Sequence, residues 1–484
     1  MCMRRRMAGQ TRDMGIFARR SATQSRIARR YAGQETEAKD LRTTQLTLMT
    51  VGGILGSGLF LASGQAIRDA GPGLFVAYLV GATAMAIEMT ALAEMSAADP
   101  RQGSFLVYAR RALGPGFTFV GGWIFWFSSV LNLAAEATAA ATFATLWLPH
   151  VPTFILSSAF ALAISGINFL TVKGFGEIES GMSVVKLLAV ALFILVAASA
   201  IFFAWPVSLG HGLMSWSGHG GFFPHGIRGI GAAMILVMFS MSGTGVLGLA
   251  AADVRRPERT IGRAVRYVTI AIYLLYIGSV LAITAIVGWQ AVPAAGRSPF
   301  LVTLHHLGWT WAVQVFNVVI LLAVLSAMNA GMFATDRVLA GLARAGDAPP
   351  ALAHMPRGIP RAANAVTGAL LLVVSLLTYF VPKTAFLYLV TATGFQSIFV
   401  WMLIVTTQIY YRRWLLEHRP RHLRLKLAFH PWLGRFELVL LLAIVATAPL
   451  APRQIVPLGI GVGATALFGM AYLVLRKTRA AASH

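Results

Sequence analysis

Val51-Gly52-Gly53-Ile54-Leu55-Gly56-Ser57-Gly58-Leu59-Phe60 is a glycine-rich interruption inside a long apolar segment, and Phe239-Ser240-Met241-Ser242-Gly243-Thr244-Gly245 is a second one. Glycine invites the backbone to leave helical geometry. In lipid such a departure is tolerated only where the freed backbone groups face protein or water. Two interrupted segments in corresponding halves of a chain that crosses the membrane many times point to a transporter's substrate site.

Working outward, the chain is 57% hydrophobic and only 12% charged over 484 residues, a balance outside the range of soluble globular domains. Apolar runs long enough to span a bilayer recur at about 45–67, 72–96, 118–146, 152–171, 181–204, 229–251, 266–288, 311–340, 364–381, 385–411, 435–450 and 453–475. The expected fold class is therefore all-α integral membrane, with twelve transmembrane helices. The formal charge of +23 does not imply nucleic acid, because its placement follows membrane topology. With the N-terminus inside and twelve alternating spans, 34 Lys/Arg fall on inside segments and 5 on outside ones, leaving Lys186 within a span. This asymmetry predicts both termini in the cytoplasm and places the chain in the cell inner (plasma) membrane.

The two interruptions fall in the first and sixth spans, so five spans separate their starts. That spacing suits a five-plus-five inverted repeat with discontinuous helices 1 and 6. The expected organisation is a basic, disordered cytoplasmic tail over 1–44 and a ten-helix transport core over 45–411. Residues 412–484 follow as a cytoplasmic loop, helices 11 and 12 joined around Pro449 and Pro452, and a short tail. The tail has no apolar core of its own and does not read as a cleavable signal peptide. Gly459-x-Gly461-x-Gly463 lies in an apolar helix rather than after a strand, so it reads as helix packing, not as a nucleotide loop. Cys2 is the only cysteine. The scattered histidines lack ligand spacing, so neither cofactor nor metal is expected.

Further motifs follow in order: Gly71-Pro72, Glu94-Met95, Pro100-x-x-Gly103-Ser104-Phe105, Gly122-Trp123-x-x-Trp126, Ala135-Glu136, Lys173-x-Phe175-Gly176-Glu177-x-Glu179, Lys186, Gly243-Thr244, Pro257-Glu258-x-Thr260-Ile261 and Ser326-x-x-Asn329. Together with Gly52-Gly53-x-x-Gly56-x-Gly58-Leu59-Phe60, this ordered set resembles the amino acid permeases of the amino acid–polyamine–organocation (APC) superfamily, especially the bacterial amino acid transporter branch. The resemblance implies a five-plus-five inverted-repeat fold, alternating access, and carriage of amino acids, usually with protons.

The chemistry can be assigned residue by residue. Free amides at a half-helix N-terminus bind carboxylates without a charged side chain. Gly56, Ser57 and Gly58, with Gly53, are the candidates for that role; the alternative is a small-residue packing face. Carbonyls freed around Phe239 to Ser242 would accept a substrate ammonium. The hydroxyls of Ser240, Ser242 and Thr244 add to them, and Gly243 allows close approach. Phe239 is a candidate gate, and Met241 a gating or structural residue. Many members of the resembling family carry an acidic residue where this chain has Gly245, and an aromatic where it has Met241. The missing counter-charge favours a neutral amino acid over a cationic one.

Lys186, at membrane depth, must be paired, neutral or functional. The resemblance puts it where sodium-coupled relatives bind sodium, and so in proton coupling; the alternative is snorkelling to the helix end. Glu136 is the second candidate for the proton pathway, or a structural hydrogen-bond partner. Asn329 and Arg337 are expected to bind neighbouring helices or gate the cytoplasmic side, and Glu88 has no assigned role. The leading reading is a permease for proton-coupled uptake (symport) of a neutral amino acid, with amino acid, protons and the bilayer as partners. An amino acid exchanger and a non-transporting membrane sensor of the same fold are the alternatives; an enzyme is not expected.

Overall fold

In the computed structural model the described residues are 42–100, 105–170, 175–203, 216, 221–250, 254, 257–293, 296–382 and 384–481. The expected tail lies almost wholly outside them, as do Gly103, Ser104, Lys173, Arg255 and Arg256. Among the described residues there is helix and no strand. Nine helices among the described residues are long and apolar enough to cross a membrane, and Thr153–Phe169 and Gly226–Ser240 are shorter apolar helices. The first apolar segment does not form one span. Helix α1 (Thr43–Ile54) stops after 12 residues, and the chain resumes in a π turn (Gly58–Ala62) leading into α2 (Ser63–Ala70).

After Gly71-Pro72-Gly73, α3 (Leu74–Ala98) runs 25 residues, or roughly 37 Å at 1.5 Å per residue, enough to cross the hydrocarbon core. Short α4 (Leu106–Ala112) leads to α5 (Pro115–Ala144), then α6 (Thr153–Leu170) and α7 (Phe175–Phe203). The second interrupted segment forms α8 (Gly226–Ser240) and α9 (Gly245–Ala250). Next comes α10 (Pro257–Ile272), which passes through a π turn (Tyr273–Ile277) into α11 (Gly278–Ile286). The helix thus starts at Pro257, well before the apolar run that begins at 266. Proline suits a first helical turn, where its missing N–H is no loss, so Arg259, Arg263 and Arg266 are helical rather than looped. Helices α12 (Pro299–His306), α13 (Thr310–Arg344), α14 (Arg361–Leu377), α15 (Ala385–His418), α16 (Trp432–Ala446) and α17 (Ile455–Ala481) complete the chain. Two 3-10 turns, Ala448–Leu450 and Pro452–Gln454, join the last pair.

Packing sorts these elements into two groups. In one, α1 lies against α7 and α10, α2 against α8, and α3 against α10. In the other, α5 is the hub, in contact with α6, α13, α14, α15 and α17. The cores differ accordingly: Phe60, Tyr78, Phe239 and Tyr276 belong to the first, and Trp126, Met328 and Leu371 to another.

Acidic residues anchor the ends of α3 to basic residues elsewhere. Asp69, before it, pairs with Arg453. At the far end Asp99 accepts hydrogen bonds from Tyr411 (2.8 Å) and Arg419 (2.9 Å). Fully buried Glu94 accepts from Gln408 (2.9 Å), the Leu427 amide (2.6 Å) and Arg412 (3.5 Å). Some of the arginines that set the charge asymmetry therefore also hold α3 to α15 and the segment after it. Removing one member of a buried charged set strands the others, at about 3 kcal/mol or more. Glu94→Ala should accordingly lower the melting temperature of the detergent-purified protein markedly. Glu94→Gln, which still accepts from Leu427, should lower it less; equal melting of both variants and wild type would remove Glu94 from this role.

Candidate functional site

The two helix breaks meet backbone to backbone. Helix α1 ends at Ile54, Leu55 leaves helical geometry (φ −76°, ψ 85°), and the chain turns at Gly56. Helix α8 ends at Ser240, and Met241 to Thr244 carry the chain to α9. A Cβ on Gly58 would stand 2.6 Å from the Ser240 Cα, and one on Gly243 would stand 2.5 Å from the Gly53 carbonyl oxygen. Gly243 also has φ +111°, a conformation that other residues rarely adopt. The carbonyls at the two helix ends share one donor: the Tyr276 hydroxyl lies 2.8 Å from Ser240 O and 3.2 Å from Ile54 O. Tyr78 packs edge-on against Tyr276, with ring centroids 5.1 Å apart. Both tyrosines sit in apolar runs, where nothing local distinguishes a strut from packing; the π turn that aims Tyr276 is a tertiary feature.

The amide that opens the second half of the first segment is already engaged. Ser57 donates its N–H to both Glu136 carboxyl oxygens (3.0 and 3.2 Å), and its hydroxyl donates to Oε1 (3.0 Å). A Cβ on Gly56 would come within 2.5 Å of the same carboxyl group. The positive end of this half-helix, expected to receive a substrate carboxylate, thus holds the protein's own.

Lys186 is 1% exposed, so it does not snorkel to the helix end. Its Nζ donates to the Gly52 carbonyl (2.9 Å) and stands 3.7 Å from Glu179 Oε1. Glu179 in turn accepts from the Ser326 hydroxyl of α13 at 2.7 and 2.8 Å. The last turn of α1 is thereby tied through α7 to α13. Glu179 stood in a sequence motif without a role; its ion pair supplies one.

A cavity of about 100 Å³ opens beside the breaks. At roughly 10–15 Å³ per water position, it admits a small organic solute or several waters. Gly53 and the stretch Ser242–Gly245 line it from the two interruptions. Ser128, Ser129 and Asn132 line it from α5, Thr393, Ser397 and Trp401 from α15, and Glu88 from α3. The α5 trio was legible in principle, as polar residues one turn apart in an apolar span.

Other expected residues lie behind the cavity wall. Phe239 and Met241 are buried in the core, and Ser240 back-bonds to Leu236 O at 2.9 Å. Gly56, Ser57, Gly58, Glu136 and Lys186 form the second layer described above. Asn329 accepts from Asn168 at 2.8 Å and so binds α13 to α6. Arg337 lies over the Phe333 ring and donates to the Phe333 and Gly358 carbonyls.

Residues 45–479 match the family model for amino acid permeases. The chain is 32% identical over 442 residues to the gamma-aminobutyric acid permease of Bacillus subtilis, covering 91% of this chain and 94% of that protein. It is 34% identical over 430 residues to the uncharacterised amino acid permease YtnA of the same organism, covering 87% and 92%. It is also 32% identical over 443 residues to the aromatic amino acid transport protein AroP of Salmonella typhimurium, covering 91% and 96%.

The glycine contacts make a paired prediction. Gly243→Ala forces backbone against backbone at a positive φ, where conformational strain alone costs about 1–3 kcal/mol. It should sharply reduce the yield and melting temperature of folded protein. A Cβ on Gly245 meets only the Phe125 ring, at 3.6 Å, so Gly245→Ala should fold like wild type. Equal behaviour of the two variants would show that the breaks do not pack this closely.

Proposed function

Because the chain belongs to the amino acid permease family, we propose that it takes up a neutral amino acid across the inner membrane by alternating access, coupled to protons. On this reading it crosses the membrane twelve times with both termini in the cytoplasm. Residues 1–44 form a tail, 45–411 a five-plus-five inverted-repeat core whose first and sixth helices are discontinuous, and 412–484 the final loop, helix pair and short tail. The observation that carries the reading is the cavity wall made by two helix breaks, Gly53 on one side and Ser242 to Thr244 on the other. Backbone at a break recognises the ammonium and carboxylate shared by all amino acids, leaving the rest of the cavity to the side chain.

Coupling follows from Glu136. A substrate carboxylate reaches the Ser57 amide only if the Glu136 carboxylate gives it up, and two carboxylates cannot share one helix N-terminus. A proton taken up by Glu136 removes its charge and loosens its hold, so substrate and proton would travel together. Lys186, placed between Glu136 and Glu179 electrostatically and bonded to Gly52 O, transmits the change to α1. The absence of a side chain at Gly245 leaves room rather than charge on the sixth helix and supports a neutral side chain.

Two experiments test this. Wild-type proteoliposomes should accumulate a radiolabelled neutral amino acid when the inside is alkaline, and should stop when an uncoupler is added. Counterflow at full rate without a pH gradient would make the protein an exchanger instead. Lys186→Ala should abolish gradient-driven uptake while leaving the protein monodisperse; wild-type-like, pH-dependent uptake in that variant would sink the coupling role.

A further inference from the structure

Glu88 is the one charged residue among those lining the cavity. It lies mid-way along α3, is fully buried, and its carboxyl oxygens have no positively charged partner among the described residues, only the Thr244 hydroxyl beside them. An ionised carboxylate in such a place is costly unless something positive meets it. Among the described residues that line the cavity none is positively charged. Thr244 stands beside it with a hydroxyl, and Ser128, Ser129 and Asn132 add neutral polar groups across the cavity. Behind it, on α16, is Glu437, also fully buried with both oxygens unpartnered and within electrostatic reach of Glu88. Glu437 offers no positive charge and does not line the cavity.

Access to Glu88 is built into α9. Gly245 and Gly248 both line the cavity. Gly248 faces α3: a Cβ there would press to 2.9 Å from Leu92, one turn from Glu88 on the same helix face. A carboxyl group is thus presented to the cavity beside Thr244, next to the break in the second interrupted segment.

We propose that Glu88 is the cation-binding group of the cavity and receives an ammonium group of the carried molecule, with Thr244 beside it. The inference rests on the transport reading and deepens it. The ligands are small molecules bearing a free primary ammonium, and those whose nitrogen is acylated are rejected. The site takes its carboxyl group from α3 and directs it to the ammonium that every amino acid carries, so the neutral side chain inferred from Gly245 is unaffected.

The test uses the full chain purified in detergent. Dissociation constants are measured for the twenty common amino acids and γ-aminobutyrate. Each ligand that binds is compared with its N-acetyl derivative. Wild type should bind the free ammonium form at least tenfold more tightly than the acetylated one. Glu88→Gln should lose at least tenfold in affinity for the free form and bring the ratio close to one. Glu88→Asp should keep the ratio, because it keeps the charge, and so serves if the glutamine variant does not fold. Glu437→Gln should also keep it. The proposal is overturned by an unchanged ratio in Glu88→Gln, by an equal loss in Glu437→Gln, by loss of the ratio in Glu88→Asp, or by wild type binding no ammonium-bearing member of the set. Flux in proteoliposomes is read separately. Ammonium-selective binding without flux would end the transport reading and leave Glu88 its role; flux untouched by Glu88→Gln would do the reverse.

Discussion

The contact on which the structure depends is the one between the two helix breaks, Gly58 against Ser240 and Gly243 against Gly53. Unwinding a helix away from water orphans amides and carbonyls, and each must find a partner in the protein. The rest of the site can be read as the answer to that demand. Tyr276 takes the carbonyls of Ile54 and Ser240, Glu136 takes the amide of Ser57, and Lys186 takes the carbonyl of Gly52. Single hydrogen bonds thus add to the shared apolar core in tying the flanking helices to the breaks.

The buried charges divide into two sets by whether the protein compensates them. Lys186 lies within electrostatic reach of both Glu136 and Glu179, and Ser57, Gly52 and Ser326 complete the hydrogen bonds of the three. Glu94 and Asp99 are likewise satisfied, by Arg412 and Arg419 among others. Glu88 and Glu437 are not. Compensated charges hold helices in place, whereas an uncompensated one at a cavity wall is a demand left for a ligand. The cavity therefore takes its backbone groups from the breaks and its charge from α3.

Glycine spacing marked the two stretches within which the helices break, because loss of helical geometry is a local property that glycine permits wherever it stands. The helix entered at Pro257 was not legible, since three arginines and low hydropathy mask a helix whose apolar stripe shows only against α1 and α3. The same blindness hid Tyr276. Asn329 meets Asn168, 161 residues away, and Arg337 the Gly358 carbonyl, 21 residues away, pairings that no local spacing records.

The sequence by itself determined that the chain is helical and apolar, where its backbone breaks, and which family it resembles. All three are written in residue types at fixed spacings along one strand of text. The tertiary structure alone decided which groups face the cavity. It turned Ser57 toward Glu136, buried Lys186 on Gly52, and set Glu88 beside Thr244. A carboxyl group's neighbours come from helices far away in the chain, and no spacing within α3 records them.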